Sequence, residues 1–197
     1  TFMAKPSAVI PGSGMHIHAS VYDVAGDNIF AAPDATDPPQ LMPRLRHAVA
    51  GLGALLDDSM LCFAPNPNSY RRVQAGALAP SGKNWGYDHR DVALRIPRSS
   101  EQSRRIEHRV AGGDINPYLM LAAVLGAAME GIEEGLTPPP PIDGNAYDQD
   151  VPQLAPTWGA AIDLSWDQDF AFRSARTVSP AIMVWPICTF GSTPSGR

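Results

Sequence analysis

Arg104-Arg105-Ile106-Glu107-His108-Arg109-Val110 alternates two kinds of side chain, Arg105, Glu107 and Arg109 on one side and Ile106, His108 and Val110 on the other. A period of two marks a strand with one face turned to a core. The charged face carries a carboxylate between two guanidiniums. Spacing alone leaves two readings open: a structural ion-pair ladder, the default for an Arg-Glu-Arg group, or a metal ligand flanked by phosphate clamps.

Neighbouring stretches supply partners for that strand. Residues 85–97 end in Val92-Ala93-Leu94-Arg95-Ile96, and the region from Tyr70 to Pro97 reads as hairpin-like. Arg90 and Arg95 lie five apart in that stretch and would face opposite sides of one strand unless a bulge intervenes. Met15 to Tyr22 alternates after the glycine turn Gly12-Ser13-Gly14, and Gly26-Asp27-Asn28 reads as a hairpin turn. Phe2 to Pro6 reads as the middle of a strand already under way, so strands are expected over 1–10, 15–23, 85–97 and 104–110. Leu41, Leu45, Val49, Leu52, Leu55 and Leu56 recur at helical spacing over 41–60, with glycines that permit close packing. Asn116-Pro117 opens a second helix over 117–133, with Asp114 or Asn116 as cap and Pro in the first turn, and Gly135 ends it before a proline run. The fold expected is α+β, a curved antiparallel β-sheet backed by helices.

The chain has 197 residues, 44% of them hydrophobic and 18% charged, which suits one soluble folded core. No apolar run approaches the ~20 residues of a membrane helix, and the start shows no basic-then-apolar leader, so no membrane partner and a cytoplasmic home are expected. Cys62 and Cys188 stand alone, without the spacing of a zinc site or a disulfide framework, so any metal must use His and carboxylates. The 17 glycines and 20 prolines imply many loops. Net charge is -5, yet residues 71–109 hold nine basic side chains, eight of them Arg, against four acidic ones. A positive block inside an acidic chain suits a small polyanion such as a nucleotide more than a long nucleic acid, although without further pattern a solvated, salt-bridged surface is the default reading. The first residue is Thr1, so the chain reads as a fragment.

Two further groups bear on chemistry. His16 and His18, two apart on a strand after Gly12 and Gly14, share one face and can present two imidazoles to one site, although such a pair is more often ordinary histidine than ligand. Asn68-Ser69-Tyr70-Arg71-Arg72 is a turn followed by paired arginines. These stretches, with Trp85-Gly86-Tyr87, Arg90, Leu94-Arg95-Ile96-Pro97, the segment 104–109 and Asn116-Pro117-Tyr118-Leu119, occur in the order they take in one family. The chain resembles the C-terminal part of the catalytic domain of the glutamine synthetase superfamily over residues 1–147. Any one of these motifs is weak; five in order are specific.

The resemblance implies ATP-dependent formation of a γ-glutamyl amide, through phosphorylation of the glutamate side chain and displacement of phosphate by an amine. It implies His16 and Glu107 as ligands of Mg2+ or Mn2+, and His18, Ser20, Arg95 and Arg105 at ATP. Gly12, Arg72 and Arg109 are implied at glutamate, and Arg90 as a catalytic, phosphate-facing arginine. It also implies a homo-oligomer, a double-ring dodecamer with sites between subunits. The chain departs from the ammonia-using pattern in two places. Leu78, in Ala75-Gly76-Ala77-Leu78-Ala79-Pro80, stands where those members carry a glutamate that accepts the amine proton, and Pro11 stands where an Asn commonly contacts glutamate. Both changes are similar to the branch that joins glutamate to polyamines or other larger amines. Missing metal-binding glutamates of the family leave a two-metal site incomplete, so the chain by itself is expected to be inactive; a classical glutamine synthetase using ammonia is the second reading, and a catalytically dead binding or regulatory protein is a third. Residues 148–197 read as an atypical tail, frame-shifted or poorly ordered.

Overall fold

A computed structural model describes residues 2–7, 9–31, 41–74, 76–77 and 79–166. Of the tail expected over 148–197, residues from 167 onward lie outside them, as does Leu78. The strands are β1 (Ile17–Ala19), β2 (Trp85–Tyr87), β3 (Leu94–Ile96) and β4 (Ile106–His108), and the helices α1 (Pro43–Ala54), α2 (Met60–Phe63), α3 (Pro117–Glu133) and α4 (Trp158–Trp166). One sheet runs in the order β1-β4-β3-β2.

The class is α+β, with a mixed sheet in place of the antiparallel one expected. β4 pairs antiparallel with β1 and β3, but β2 and β3 run parallel, Trp85 beside Leu94 and Tyr87 beside Ile96. The stretch 85–97 is therefore neither one strand nor half of a hairpin. Asn84 makes the return: its side chain accepts from Ala93 N at 3.0 Å and its carbonyl from Leu94 N at 3.1 Å, so the chain re-enters beside its own starting point. Strands are shorter than the alternation suggested, three residues each. Residues 2–7 and 9–10 form no strand; Ala4 accepts from Ser13 N at 2.7 Å and closes a loop instead. The turn at Gly26 is as expected, with Gly26 at φ +88° and an antiparallel bridge from Tyr22 to Asn28.

Leu94, Ile96 and Ile106 join the core with Leu45, Val49, Leu52, Met120 and Val124, and His108 is buried on the same side against Phe63. The expected helix over 41–60 breaks into α1 and α2 around residues 55–59. α3 starts at Pro117, with the Asn116 side chain accepting from Tyr118 N at 3.0 Å and Leu119 N at 3.3 Å. That satisfies two of the four amide donors a helix start leaves open. α1 and α3 cross at Gly51 and Gly131, where a Cβ on Gly51 would stand 2.1 Å from the Ala127 carbonyl oxygen. Beyond α3 the chain stays packed: Leu154 N donates to Ser81 O at 2.8 Å, and Leu154, Ala155 and Ala161 are buried.

Candidate active site

The register of the sheet builds the site. His18 on β1 lies opposite Glu107 on β4, and Glu107 lies opposite Arg95 on β3. Residues directly opposite in a ladder share a face, so one row sets imidazole, carboxylate and guanidinium side by side, away from the helices. Next in the row, opposite Arg95 on β2, is Gly86, which adds no side chain.

Glu107 is the centre, with its side chain 3% exposed. Oε2 accepts from Arg95 Nη1 at 2.8 Å; Oε1 accepts from Arg109 Nη1 at 2.5 Å and lies 3.1 Å from His16 Nδ1 and 3.9 Å from His18 Nε2. Burial works to raise the carboxyl, but the Arg95 hydrogen bond and the charges of Arg109, Arg95 and His18 outweigh it and hold its pKa below the usual range. Glu107 is thus an anion at neutral pH. His16 shifts downward through burial and Arg109, against the pull of Glu107. It is a neutral imidazole, and in the tautomer that donates Nδ1–H to Glu107 its Nε2, turned to Gly14, keeps a lone pair for a cation.

The donor set suits a hard divalent ion, an imidazole with a carboxylate, but only as part of a shell. Among the described residues no group of three or more His, Cys, Asp or Glu could hold a metal. His16 and Glu107 would hold such an ion together with ligands from elsewhere.

Beside this cluster lies Arg72, buried, with Nη1 donating to the Val110 carbonyl at 3.1 Å. It lies against the glycine turn: a Cβ on Gly14 would come within 2.7 Å of Arg72 Nη2 and 3.3 Å of His16 Nε2, and one on Gly12 within 2.9 Å of Arg72 Cγ. The glycines are needed for that approach. Burial lowers the Arg72 pKa, with Asp114 opposing, and among the described residues no carboxylate pairs with it. A buried guanidinium with one protein carbonyl fits a carboxylate ligand.

The expected residues are thus only partly gathered. His16, His18, Arg95, Glu107 and Arg109 form one network; Arg105 joins it through Nε to His18 Nδ1 at 3.2 Å, and Gly12 and Arg72 adjoin it across Gly14. Ser20 stands apart, its Oγ donating to Arg104 O at 3.2 Å. Arg90 is exposed and lends the network its backbone, the carbonyl accepting from Arg109 Nη2 at 2.8 Å. It lies in the loop 88–93, not in a strand with Arg95. Sequence reading missed Asp88, whose Oδ1 accepts from Arg95 Nη2; a turn-forming Asp directly after Trp85-Gly86-Tyr87 was the signal available.

Residues 1–174 match the glutamine synthetase catalytic domain. The chain is 42% identical to the γ-glutamylputrescine synthetase of Escherichia coli over 150 residues, 76% of this chain and 31% of that protein. It is 40% identical to a glutamate–isopropylamine ligase of a Pseudomonas species over 163 residues, covering 83% and 35% of the two, and 38% identical to a γ-glutamylethanolamide synthetase of Streptomyces coelicolor over 175 residues, covering 89% and 36%. Its fold superposes on the solved ligand-free structure of GmaS with a TM-score of 0.76 at 30% identity, covering 92% of this chain and 41% of that one. The chain spans about a third of the length of these curated relatives. It belongs to the glutamine synthetase family, as a part of the catalytic domain.

Proposed function

We propose that the whole protein is an ATP-dependent ligase that joins glutamate to an amine larger than ammonia, through γ-glutamyl phosphate. The observation that carries this is the convergence of Arg95, Arg109, His16 and His18 on one buried carboxylate, in a chain whose relatives include ligases named for putrescine, isopropylamine and ethanolamine. Leu78 in place of an acidic residue supports the larger amine.

In this reading Arg72, over Gly12, and Arg109 take the carboxylates of glutamate. Arg95 and Arg105, with His18 and Ser20, line the ATP phosphates, and Arg90 faces the transferred phosphoryl group. Phosphoryl transfer asks a protein for positioning and for neutralisation of developing charge, the work an arginine cluster does well. A Mg2+ or Mn2+ ion held by His16 and Glu107 would add to that neutralisation. Glu107 also keeps Arg95 and Arg109 aimed and mutually tolerable, two like charges on one counter-ion. The protein acts in this reading as a cytoplasmic homo-oligomer, a double-ring dodecamer.

Phosphate release by the whole protein with ATP, Mg2+ and glutamate tests it, with ammonium, putrescine, isopropylamine and ethanolamine supplied separately. Release with an organic amine and little with ammonium is expected, and Glu107→Gln should lower it by about 100-fold or more. Release chiefly with ammonium makes the protein a glutamine synthetase, the name carried by other relatives at 35–39% identity. No release with any amine makes it a binding or regulatory member.

A further inference from the structure

Asp88 takes no part in the reading above, yet it sits at the open end of the charged row. Among the described residues it is the non-glycine with positive φ, +57°. L residues rarely hold that conformation, Asp and Asn tolerate it best, and such outliers gather at functional sites. Its N–H donates to Ile96 O at 3.0 Å, where β2 leaves β3, and the left-handed turn brings its carboxylate back onto Arg95.

Arg95 is thereby held at both prongs of its planar fork. Nη1 donates to Glu107 Oε2 at 2.8 Å and Nη2 to Asp88 Oδ1, while Nε is buried without a partner. One contact leaves a guanidinium free to swing; two fix its plane and with it the direction of the unused N–H donors. The two holders differ: the Glu107 side chain is 3% exposed and that of Asp88 43%, so Asp88 is the holder that faces solvent.

We infer that Asp88 is a positioning residue for nucleotide binding, fixing the Arg95 guanidinium so that its remaining donors meet the phosphates of a nucleoside di- or triphosphate. The inference rests on the proposed role of Arg95 at ATP. Asn keeps the backbone tolerance of Asp and loses the charge, and Gly keeps the turn and loses the side chain, so charge can be separated from fold.

The experiment is calorimetric binding of ADP with Mg2+ to the whole protein and to its Asp88→Asn and Asp88→Gly forms, together with thermal melting and KM for each substrate. In both variants the ADP Kd and the KM for ATP should rise about tenfold, with the KM for glutamate and for the amine within about twofold of the parent. The melting midpoint of Asp88→Asn should hold. ADP binding unchanged, or tighter, in Asp88→Asn overturns the inference. So does a lower midpoint with equal losses for all three substrates, which assigns Asp88 to the turn alone. Failure of the unsubstituted, folded protein to bind ADP overturns the nucleotide reading itself and the inference with it.

Discussion

His108 carries a titratable ring where the sheet needs an apolar one. It is 1% exposed, packs at a tilt against Phe63 with ring centroids 4.4 Å apart, and neither ring nitrogen has a partner. Burial, with a smaller push from His16, lowers its pKa to about 3, so it is neutral in the folded protein. In the unfolded chain a histidine titrates near 6.5. As pH falls below that value the unfolded state takes up the proton first. The His108 contribution to stability is therefore complete above about 6.5 and declines toward about 3, by up to ~1.4 kcal/mol per pH unit. His108→Leu removes that dependence. Between pH 6.5 and 5 the stability gap between parent and variant, measured by urea unfolding, should shift against the parent by about 2 kcal/mol. A gap that stays constant would place the ring in contact with solvent. The charged face of the same strand was legible because alternation separates Glu107 from His108, whereas the ring's isolation was not, since a core histidine and a ligand histidine look alike in sequence.

At the scale of elements, the helix pair α1 and α3 sets how closely the core can close. A Cβ on Gly51 would lie 2.7 Å from Gly131 Cα as well as 2.1 Å from the Ala127 oxygen, all backbone, so nothing flexible can yield. Gly51→Ala should cost about 1–3 kcal/mol through separation of the helices, in spite of a helix-propensity gain of up to ~1 kcal/mol. Gly53, two residues on in the same helix, meets nothing within 4 Å, so Gly53→Ala should show the gain alone. Opposite shifts of the melting midpoint check the pair; equal shifts would mean that the helices do not close at Gly51. Both helices were legible from leucine spacing and from the Asn116-Pro117 start, because those signals are local. The parallel pairing of β2 and β3 was not. A six-residue connection ordinarily means a hairpin, and here the chain loops back to Asn84 so that β3 runs parallel to β2, a return that no local pattern carries. For the same reason Arg95 could be assigned to the site from its motif while its second holder, Asp88, could not.

For the whole molecule, α3 poses the larger question of what lies on its far side. Met120, Val124 and Ala127 turn inward, while Tyr118, Leu121, Leu125 and Met129 are exposed in one stripe at spacings of three and four. A helix apolar on both sides belongs between two layers, and β1, at one end of the sheet order, is an edge strand. Studied alone, the 197-residue chain should associate with rising concentration and bind an apolar dye, because a stripe of this kind beside an open edge invites pairing. Leu125→Glu with Met129→Lys should suppress both signals in the isolated chain. In the whole protein the same double substitution should lower the melting midpoint, provided another layer covers α3, since charges would then be buried without partners. Sedimentation of the isolated chain and melting of the whole protein read the two arms separately. Suppressed association with an unchanged midpoint would leave the stripe exposed in the whole protein, and unchanged association would place the sticking surface on β1 instead.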